Sequence, residues 1–205
     1  MKRCLLIILI LIVSLTVCGC TYINTHIYDI NKIHWYRYNV VVQYAIGAPS
    51  EYINESVMYD TSPFDNVSNA RHMKEIDVAS NETQILDTIT VNLYYDPSDN
   101  YRLLGGNMNY SLGYRTIDVN NPLYFDPVIK LLNISISNLN SSGTETTVVP
   151  AGTYVCTKYT IPDNWTWSST TYYYNKSLPL PVKIYDINNV ASTTVISTYE
   201  LVGYG

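Results

Sequence analysis

Basic residues are scarce in this chain, which has 12 Lys and Arg against 17 Asp and Glu. Two of the basic residues, Lys2 and Arg3, open the sequence, so the part after residue 19 carries 10 basic and 17 acidic residues, a net charge of −7. Proteins that bind phosphate-rich partners need clustered Lys and Arg. The composition therefore argues against nucleic acid as a partner.

Cysteine is also scarce, with four residues in the whole chain: Cys4, Cys18, Cys20 and Cys156. Only Cys156 lies beyond the first 20 residues, so the main part of the chain cannot form an internal disulfide. The sequence around Cys156 is apolar and β-prone, and it holds no nearby histidine that would lower the pKa of the thiol. The pattern predicts a buried, inert thiol.

Long apolar runs are absent except for one, the 13 residues 5–17. A short basic start, an apolar run of this length and small residues before a cysteine are typical of a secretory signal peptide. The sequence therefore predicts that the chain functions outside the cytoplasm and is held at a membrane.

The end of this segment, Val17-Cys18-Gly19-Cys20, resembles the lipobox of prokaryotic lipoproteins. The resemblance implies that residues 1–19 are removed and that Cys20 carries the lipid. An alternative is an uncleaved anchor, because residues 4–23 form a stretch of 20 uncharged residues, about the length of a helix that spans a bilayer. Both alternatives place residues 24–205 on the outer face of the membrane.

Residue patterns for catalysis, metals and cofactors are missing. His26, His34 and His72 lack the paired spacing of metal ligands, and no second histidine accompanies His72 and Glu75 at the spacing of a zinc hydrolase. Neither a Gly-x-Ser-x-Gly motif nor a calcium loop occurs. We expect no catalytic residue, no metal and no cofactor, and therefore no enzyme.

Glycosylation sequons, in contrast, are frequent. The chain has eight Asn-X-Ser/Thr sites, about twice the number that its composition would produce by chance. They are Asn54, Asn66, Asn81, Asn109, Asn133, Asn140, Asn164 and Asn175. An exported protein with these sites in use would be a glycoprotein of the cell surface. A chance origin in an Asn- and Thr-rich surface remains open.

Tyrosine dominates the aromatic residues, with 21 Tyr against 2 Phe and 3 Trp, and together with Thr, Val and Ile it favours strands. Residues 34–44 alternate apolar and polar side chains, and residues 88–95 repeat the pattern, as expected for half-buried antiparallel strands. We predict a signal peptide at 1–19, a tether at 20–33 and a single β-rich domain at 34–205. The length suits one core.

Turn-forming clusters separate the expected strands. They are residues 96–100, 105–107, 120–122 and 138–143. Helix signals are weak: residues 126–132 could form one or two turns, and residues 69–77 could be helix or strand. Alternation over 132–138 predicts that Asn133 faces the solvent.

The last third of the chain carries a family resemblance. Val149-Pro150-Ala151-Gly152-Thr153-Tyr154, residues 169–174, residues 180–184 and Thr198-Tyr199-Glu200-Leu201 resemble the closing strands of LolA-like lipoprotein-carrier half-barrels. The Pro-Ala-Gly-Thr and Tyr-Glu-Leu strings resemble those of archaeal-type cell-surface lipoproteins. The resemblance implies a mainly β fold, a curved antiparallel sheet or half-barrel with one or two short helices. Within it, residues 181–184 and 198–201 should pair through a hairpin at 186–191.

Two functions remain open. The first is a structural or recognition module of the cell envelope, whose glycans and exposed tyrosines meet an envelope protein. The second is a carrier or sensor that holds a lipid or other hydrophobic ligand in a half-barrel cavity. A core of this size needs no ligand, so we favour the first.

Overall fold

The structure is a computed structural model of the whole chain. It describes residues 29–44, 50–99, 101–117, 139–163, 168–190 and 193–205, together with Val119 and Ile136. Several expectations lie outside these residues: the lipid acceptor Cys20, the sequons at Asn133 and Asn164, and the predicted helical turns at 126–132.

The described chain is built almost entirely of strands. A single turn of 3-10 helix covers Ile30–Lys32, and eleven strands follow it. They are β1 (Trp35–Gln43), β2 (Glu51–Thr61), β3 (Arg71–Ser80), β4 (Ile85–Asp96), β5 (Arg102–Tyr110), β6 (Gly113–Ile117), β7 (Ser141–Val149), β8 (Gly152–Asp163), β9 (Ser168–Tyr174), β10 (Lys183–Val190) and β11 (Thr193–Tyr204).

All eleven strands form one antiparallel sheet in the order β6-β5-β4-β3-β2-β1-β11-β10-β9-β8-β7. Strands β1 to β6 make one meander and β7 to β11 make another. The two are joined in the middle of the sheet, where β1 pairs with β11 and Val40 lies opposite Tyr199. The first and last strands of the domain are therefore its central strands.

The sheet is curved and does not close, which confirms the predicted fold class. Its curvature brings the turn between β7 and β8 back to β11, where the Ala151 N–H donates to the Leu201 carbonyl at 3.0 Å. Of the one or two short helices expected, the described residues hold only the 3-10 turn at Ile30–Lys32.

The alternation predicted for 34–44 is confirmed in β1. Tyr36, Tyr38, Val40 and Val42 are buried on one face of the sheet, here called the packed face, while the residues between them point to the outer face. The second predicted pattern, at 88–95, is likewise confirmed in β4. Residues 69–77, left open between helix and strand, contribute to β3.

Two segments outside the sheet cover the packed face. The connection between β9 and β10 buries Leu178, Leu180 and Val182, and the 3-10 turn adds Ile30 and Ile33. The Asp29 N–H donates to the Pro179 carbonyl at 2.8 Å and joins these two segments. Residues 29–33, part of the stretch predicted as a tether, thus pack against the sheet.

Residues 105–107 were predicted as a turn, and this prediction is wrong because they lie inside β5. The glycines serve close approach between strands. A Cβ on Gly106 would lie 2.1 Å from the Asn92 carbonyl oxygen, and a Cβ on Gly105 would lie 3.0 Å from the Phe64 ring. Gly105 also has a φ of +154°, which side chains disfavour.

Of two other predictions, the turn at 138–143 is wrong over residues 141–143, which are strand, and the hairpin between β10 and β11 is confirmed with a shift in position. Strand β7 begins at Ser141, inside the stretch 138–143 that was expected to be a turn. Gly143 has a φ of +118° and lies where the register of β7 shifts relative to β8. The hairpin expected at 186–191 joins β10 and β11, but its strands continue to the pair Val190 and Thr193. The Asn-Asn pair at 188–189 is therefore strand.

The sheet has two ends, which matter for function. At the tether end, β1 begins and β11 finishes, and the His34 and Trp35 N–H groups donate to the Gly205 carbonyl at 2.6 and 3.0 Å. The far end holds the β1–β2, β3–β4 and β5–β6 connections. Because the strands are antiparallel, every connection falls at one end or the other.

Candidate functional site

Large hydrophobic side chains are exposed together at the far end. We call this set the far rim, and its members share exposure to solvent and a position near a strand terminus or turn. They are Tyr44, Tyr52, Ile85, Leu86, Leu112 and Tyr114. Leu112 is 91% exposed, the largest value among the exposed hydrophobic residues that the structure describes.

The pairing register brings members of the far rim close to each other. Tyr52 and Ile85 both lie opposite Ser80, one on each side of β3, so their Cα atoms are about 10 Å apart. Both side chains project from the outer face. Tyr114 lies on that face too, directly opposite Asn109. Tyr52, Ile85 and Tyr114 therefore lie along one edge of the outer face from β2 to β6, while Tyr44 is bonded to Glu51, which lies opposite the packed-face residue Val42.

Local irregularities explain why apolar residues are exposed here. The register of β3 and β4 shifts between Ala79 and Ser80, which leaves Leu86 as an extra residue without a direct partner in the strand pairing. Leu112 lies in the tight turn between β5 and β6. The Ser111 N–H in that turn donates to the Asp87 carboxylate at 3.2 Å, which holds the turn against β4.

One tyrosine of the rim is fixed by an acidic neighbour. The Tyr44 hydroxyl donates to the Glu51 carboxylate at 2.5 Å. Partial burial, and then the hydrogen bond and charge of Glu51, raise the pKa of Tyr44 to about 12. The phenol stays protonated at ordinary pH and can serve as a polar contact.

The six sequons in the described residues lie on strand faces or in connections. Asn54 and Asn109 project from the outer face of β2 and β5 and are exposed, as are Asn66 and Asn140 in connections. Asn81 and Asn175 are half-buried, and each accepts hydrogen bonds from its own sequon: Asn81 from Thr83, and Asn175 from Ser177. None of these six asparagines is buried in the core, which is compatible with glycosylation. Their use as glycosylation sites stays a prediction.

A group of acidic residues on the packed face was missed at the sequence level. Glu55 and Glu75 are buried, and Asp77 lies directly opposite Glu55 on the neighbouring strand. Burial raises the pKa of Asp77 to about 6, although a hydrogen bond from the Glu75 carboxyl lowers it. The signal was present in β2, where Glu55 takes the position of an apolar residue in the alternation between Ile53 and Val57.

These carboxyl groups do not form a metal site in the structure. Among the described residues, no group of three or more His, Cys, Asp or Glu side chains is arranged to hold a metal ion. Tyr36 and Tyr38 are their neighbours on β1, with Tyr38 opposite Glu55 in the strand pairing. The group can take up protons and so makes stability depend on pH.

His72 lies on the outer face and is held from several sides. Its Nδ1 lies 2.9 Å from the Asp60 carboxylate and its Nε2 lies 3.2 Å from the Asn92 carbonyl oxygen. The ring stacks on Tyr94 with centroids 4.6 Å apart, and Tyr94 stacks on Phe64 at 4.4 Å. With both ring nitrogens engaged, His72 joins strands β2, β3 and β4 and has no nitrogen free for a substrate.

Cys156 is buried and free, in agreement with its prediction as a buried thiol. Desolvation raises the pKa of Cys156, and the negative charge of Glu145 adds to the rise. A thiol with a raised pKa is a poor nucleophile at neutral pH. The structure therefore gives Cys156 a packing role.

Comparison with known proteins adds no family to this geometry. No family model matches the chain, and no curated protein matches it. Within the part of the chain that the structure describes, we find no helix that is long and apolar enough to cross a membrane. The function proposed below therefore depends on the sequence of the first 20 residues and on the surface of the domain.

Proposed function

We propose that this protein is a membrane-anchored, glycosylated surface lipoprotein that acts as a structural or recognition module of the cell envelope, without catalysis. The observation that carries the proposal is the far rim, six exposed hydrophobic residues at one end of the sheet. Contiguous exposed apolar patches on a folded domain mark interaction sites. The far rim is the surface through which the module meets an envelope protein.

The position of the far rim supports this role. It lies at the opposite end of the sheet from the 3-10 turn Ile30–Lys32, where the described chain begins. A module anchored through its first residues would carry the far rim away from the membrane. Three of its six members are tyrosines, which bury apolar area and offer a hydroxyl to a partner.

The anchor is proposed from the sequence of the first residues. Lipidation at Cys20 after removal of residues 1–19, or an uncleaved anchor over residues 4–23, would hold the domain at the outer face of the membrane. The archaeal-type lipoprotein resemblance fits the same location. The negative charge of the chain suits an exposed, soluble surface.

Glycans would stand close to the far rim. Asn54 lies two residues from Tyr52 on the outer face of β2, and Asn109 lies opposite Tyr114. Asn81 lies in the β3–β4 connection, also at the far end. Glycans at these positions would border the contact surface and could take part in it.

The carrier of a lipid or other hydrophobic ligand receives less support. Leu178, Leu180 and Val182 already occupy the packed face, together with the 3-10 turn. The same face buries Glu55 and Glu75, and buried carboxyl groups make an unfavourable wall for an apolar ligand. The feature that favours the carrier is the open, curved sheet, because a half-barrel of this kind could hold a ligand.

The proposal can be tested with Leu112→Asp in the full chain, produced in its native cell. Cells are extracted with a detergent that dissolves the bilayer and leaves the surface layer or wall, and the protein retained there is measured by immunoblot. Burying a Leu contributes about 1.5–3 kcal/mol, so the variant should be retained about tenfold less than the wild type.

The matched control is Val148→Asp, because Val148 is 69% exposed on β7 near the tether end. Its retention should equal that of the wild type. Equal retention of the Leu112→Asp variant would contradict the role of the far rim. A stoichiometric lipid extracted from the purified wild type would instead favour the carrier.

A further inference from the structure

A second exposed apolar group lies at the tether end. Trp35 and Met58, here called the tether patch, are 39% and 47% exposed on the outer face of the sheet. Trp35 lies directly opposite Met58 in the pairing of β1 with β2. On its other side, β1 pairs with β11, where Tyr204 lies opposite Tyr36. Trp35 and Met58 thus share the outer face of two adjacent strands, whereas Tyr204 follows the packed face at the same end.

The indole of Trp35 is held against the backbone of the last strand. A Cβ on Gly203 would lie 3.3 Å from the ring, and a Cβ on Gly205 would lie 2.4 Å from its Nε1. The guanidinium of Arg37 lies 5.7 Å from the ring centroid. Trp35 is therefore fixed in an outward position.

The described chain begins at this same end. The Arg71 guanidinium donates to the Ile30 and Ile33 carbonyls at 3.1 and 2.7 Å, which fixes the 3-10 turn to β3. The Asp29 N–H is bonded to Pro179. The start of the described chain is thus tied to the tether end from two sides.

The length of the preceding segment limits how far this end can lie from an anchor. Nine residues run from Thr21 to Asp29, and they span at most about 30 Å however they fold. If Cys20 carries the lipid, Asp29 lies within that distance of the bilayer surface, and the tether patch lies at the same end of the sheet as Asp29. No comparable limit applies to the far rim.

The chemistry of the patch matches the boundary between lipid and water. Trp and Tyr collect there because their rings are apolar and their N–H or O–H groups are polar. Arg37 borders the ring of Trp35, and Lys74 lies opposite Met58. Long basic side chains at such a position can extend toward the headgroups while their stems cover apolar surface.

We propose that the tether patch docks into the headgroup region of the bilayer that holds the lipid anchor. The proposal rests on the anchored location given under Proposed function. Docking would fix the orientation of the domain on the membrane and direct the far rim outward. The partner is the lipid bilayer itself, and the contact adds to the covalent lipid as a second membrane signal.

The test uses Trp35 as a depth probe in the full, lipidated chain. The chain has three Trp, so Trp165→Phe and Trp167→Phe leave Trp35 as the single source of indole fluorescence. The protein is reconstituted into phosphatidylcholine vesicles whose acyl chains carry bromine either near the headgroup or near the chain end. Bromine near the headgroup should quench about half of the Trp35 emission, and bromine near the chain end much less.

Met58→Asp in this background should abolish the quenching, because a carboxylate disfavours the interface. The matched control is Leu86→Asp, since Leu86 is also 47% exposed but lies on the far rim. It should leave the quenching unchanged.

Flotation of the vesicles separates docking from anchoring. A chain that floats with the vesicles while its Trp35 is not quenched overturns the docking and leaves the anchor standing. A chain that does not float at all overturns both. Equal quenching in the Met58→Asp variant also contradicts the tether patch as the contact.

Discussion

At the scale of single residues, buried carboxyl groups set the character of this domain. Asp77 and Glu75 share a hydrogen bond on the packed face, and Glu55 lies opposite Asp77. Burial disfavours the charged form of a carboxyl group and raises its pKa. The sheet therefore contains a group that resists ionisation in the native state and ionises freely in the unfolded chain.

This property predicts that the protein is more stable in mild acid than at neutral pH. The pKa of Asp77 is about 6 in the folded protein against an ordinary value of 3.8 for an Asp carboxyl group, so the folded state binds the proton more tightly. Its contribution to stability is complete below the lower value and is lost as pH rises through about 6. The free energy of unfolding should fall by about 3 kcal/mol over this window.

Urea unfolding of wild type and Asp77→Asn between pH 4 and pH 8 measures this effect. The variant should be more stable than the wild type at pH 8 and should lose most of the pH dependence. Asp65→Asn is the control, since Asp65 is exposed in a turn. An unchanged pH slope in the Asp77→Asn variant would show that Asp77 is not the titrating group.

At the scale of secondary structure elements, β11 is decisive because it joins the two meanders. It pairs with β1 on one side and with β10 on the other. The side chain of Leu201 in β11 is fully buried. The Leu201 N–H donates to the Val182 carbonyl and the Leu201 carbonyl accepts from the Ala151 N–H, both at 3.0 Å. Removing residues 196–205 would separate the halves of the sheet.

Leu201→Ala should therefore be strongly destabilising. Truncation of a buried Leu costs about 2–5 kcal/mol, a large part of the 5–15 kcal/mol that stabilises a typical domain. Thermal unfolding followed by circular dichroism should show a melting temperature lower by about 5–15 °C.

The neighbouring Glu200→Gln serves as the control for this substitution. Glu200 forms a partly exposed ion pair with Lys183 at 2.9 Å, and such pairs contribute up to about 1 kcal/mol. Its melting temperature should stay close to that of the wild type. Equal melting temperatures for Leu201→Ala and the wild type would mean that β11 does not pack as described.

At the scale of the whole molecule, the two ends of the sheet differ in what they offer. The tether end carries the start of the described chain, Gly205 and the tether patch, and the far end carries the far rim and most of the sequons in described connections and strands. Because the two ends differ in this way, a lipid at Cys20 would place the tether end next to the membrane and direct the far rim away from it.

Cys20→Ser should release the protein from the membrane while the domain stays folded, because the buried core residues that the structure describes lie between Ile30 and Leu201. Membrane flotation and mass spectrometry of the chain measure location and lipid. Cys18→Ser is the control, since that residue lies in the segment that cleavage before Cys20 would remove. A Cys20→Ser variant with unchanged membrane retention and unchanged mass would favour the uncleaved anchor.

Where the sequence predictions succeeded, the signal was local and periodic. The alternation of Tyr36, Tyr38 and Val40 identified both β1 and its buried face, because the side chains of a strand alternate with a period of two. The prediction for Gly105 and Gly106 failed because a glycine pair favours a turn locally. In the structure, the backbone of β4 and the Phe64 ring occupy the positions that Cβ atoms on these two residues would need. That requirement depends on residues distant in sequence.

The sequence by itself determined the strand-rich class, the inward faces of β1 and β4 and the expectation of a membrane anchor, because these follow from composition and from short-range patterns. Only the tertiary structure decided that β1 and β11 meet at the centre and that Glu55 and Asp77 face each other. Strand pairing joins residues far apart along the chain, and many pairings satisfy the same local pattern. The far rim and the tether patch follow from that pairing, which assembles each of them from separate strands.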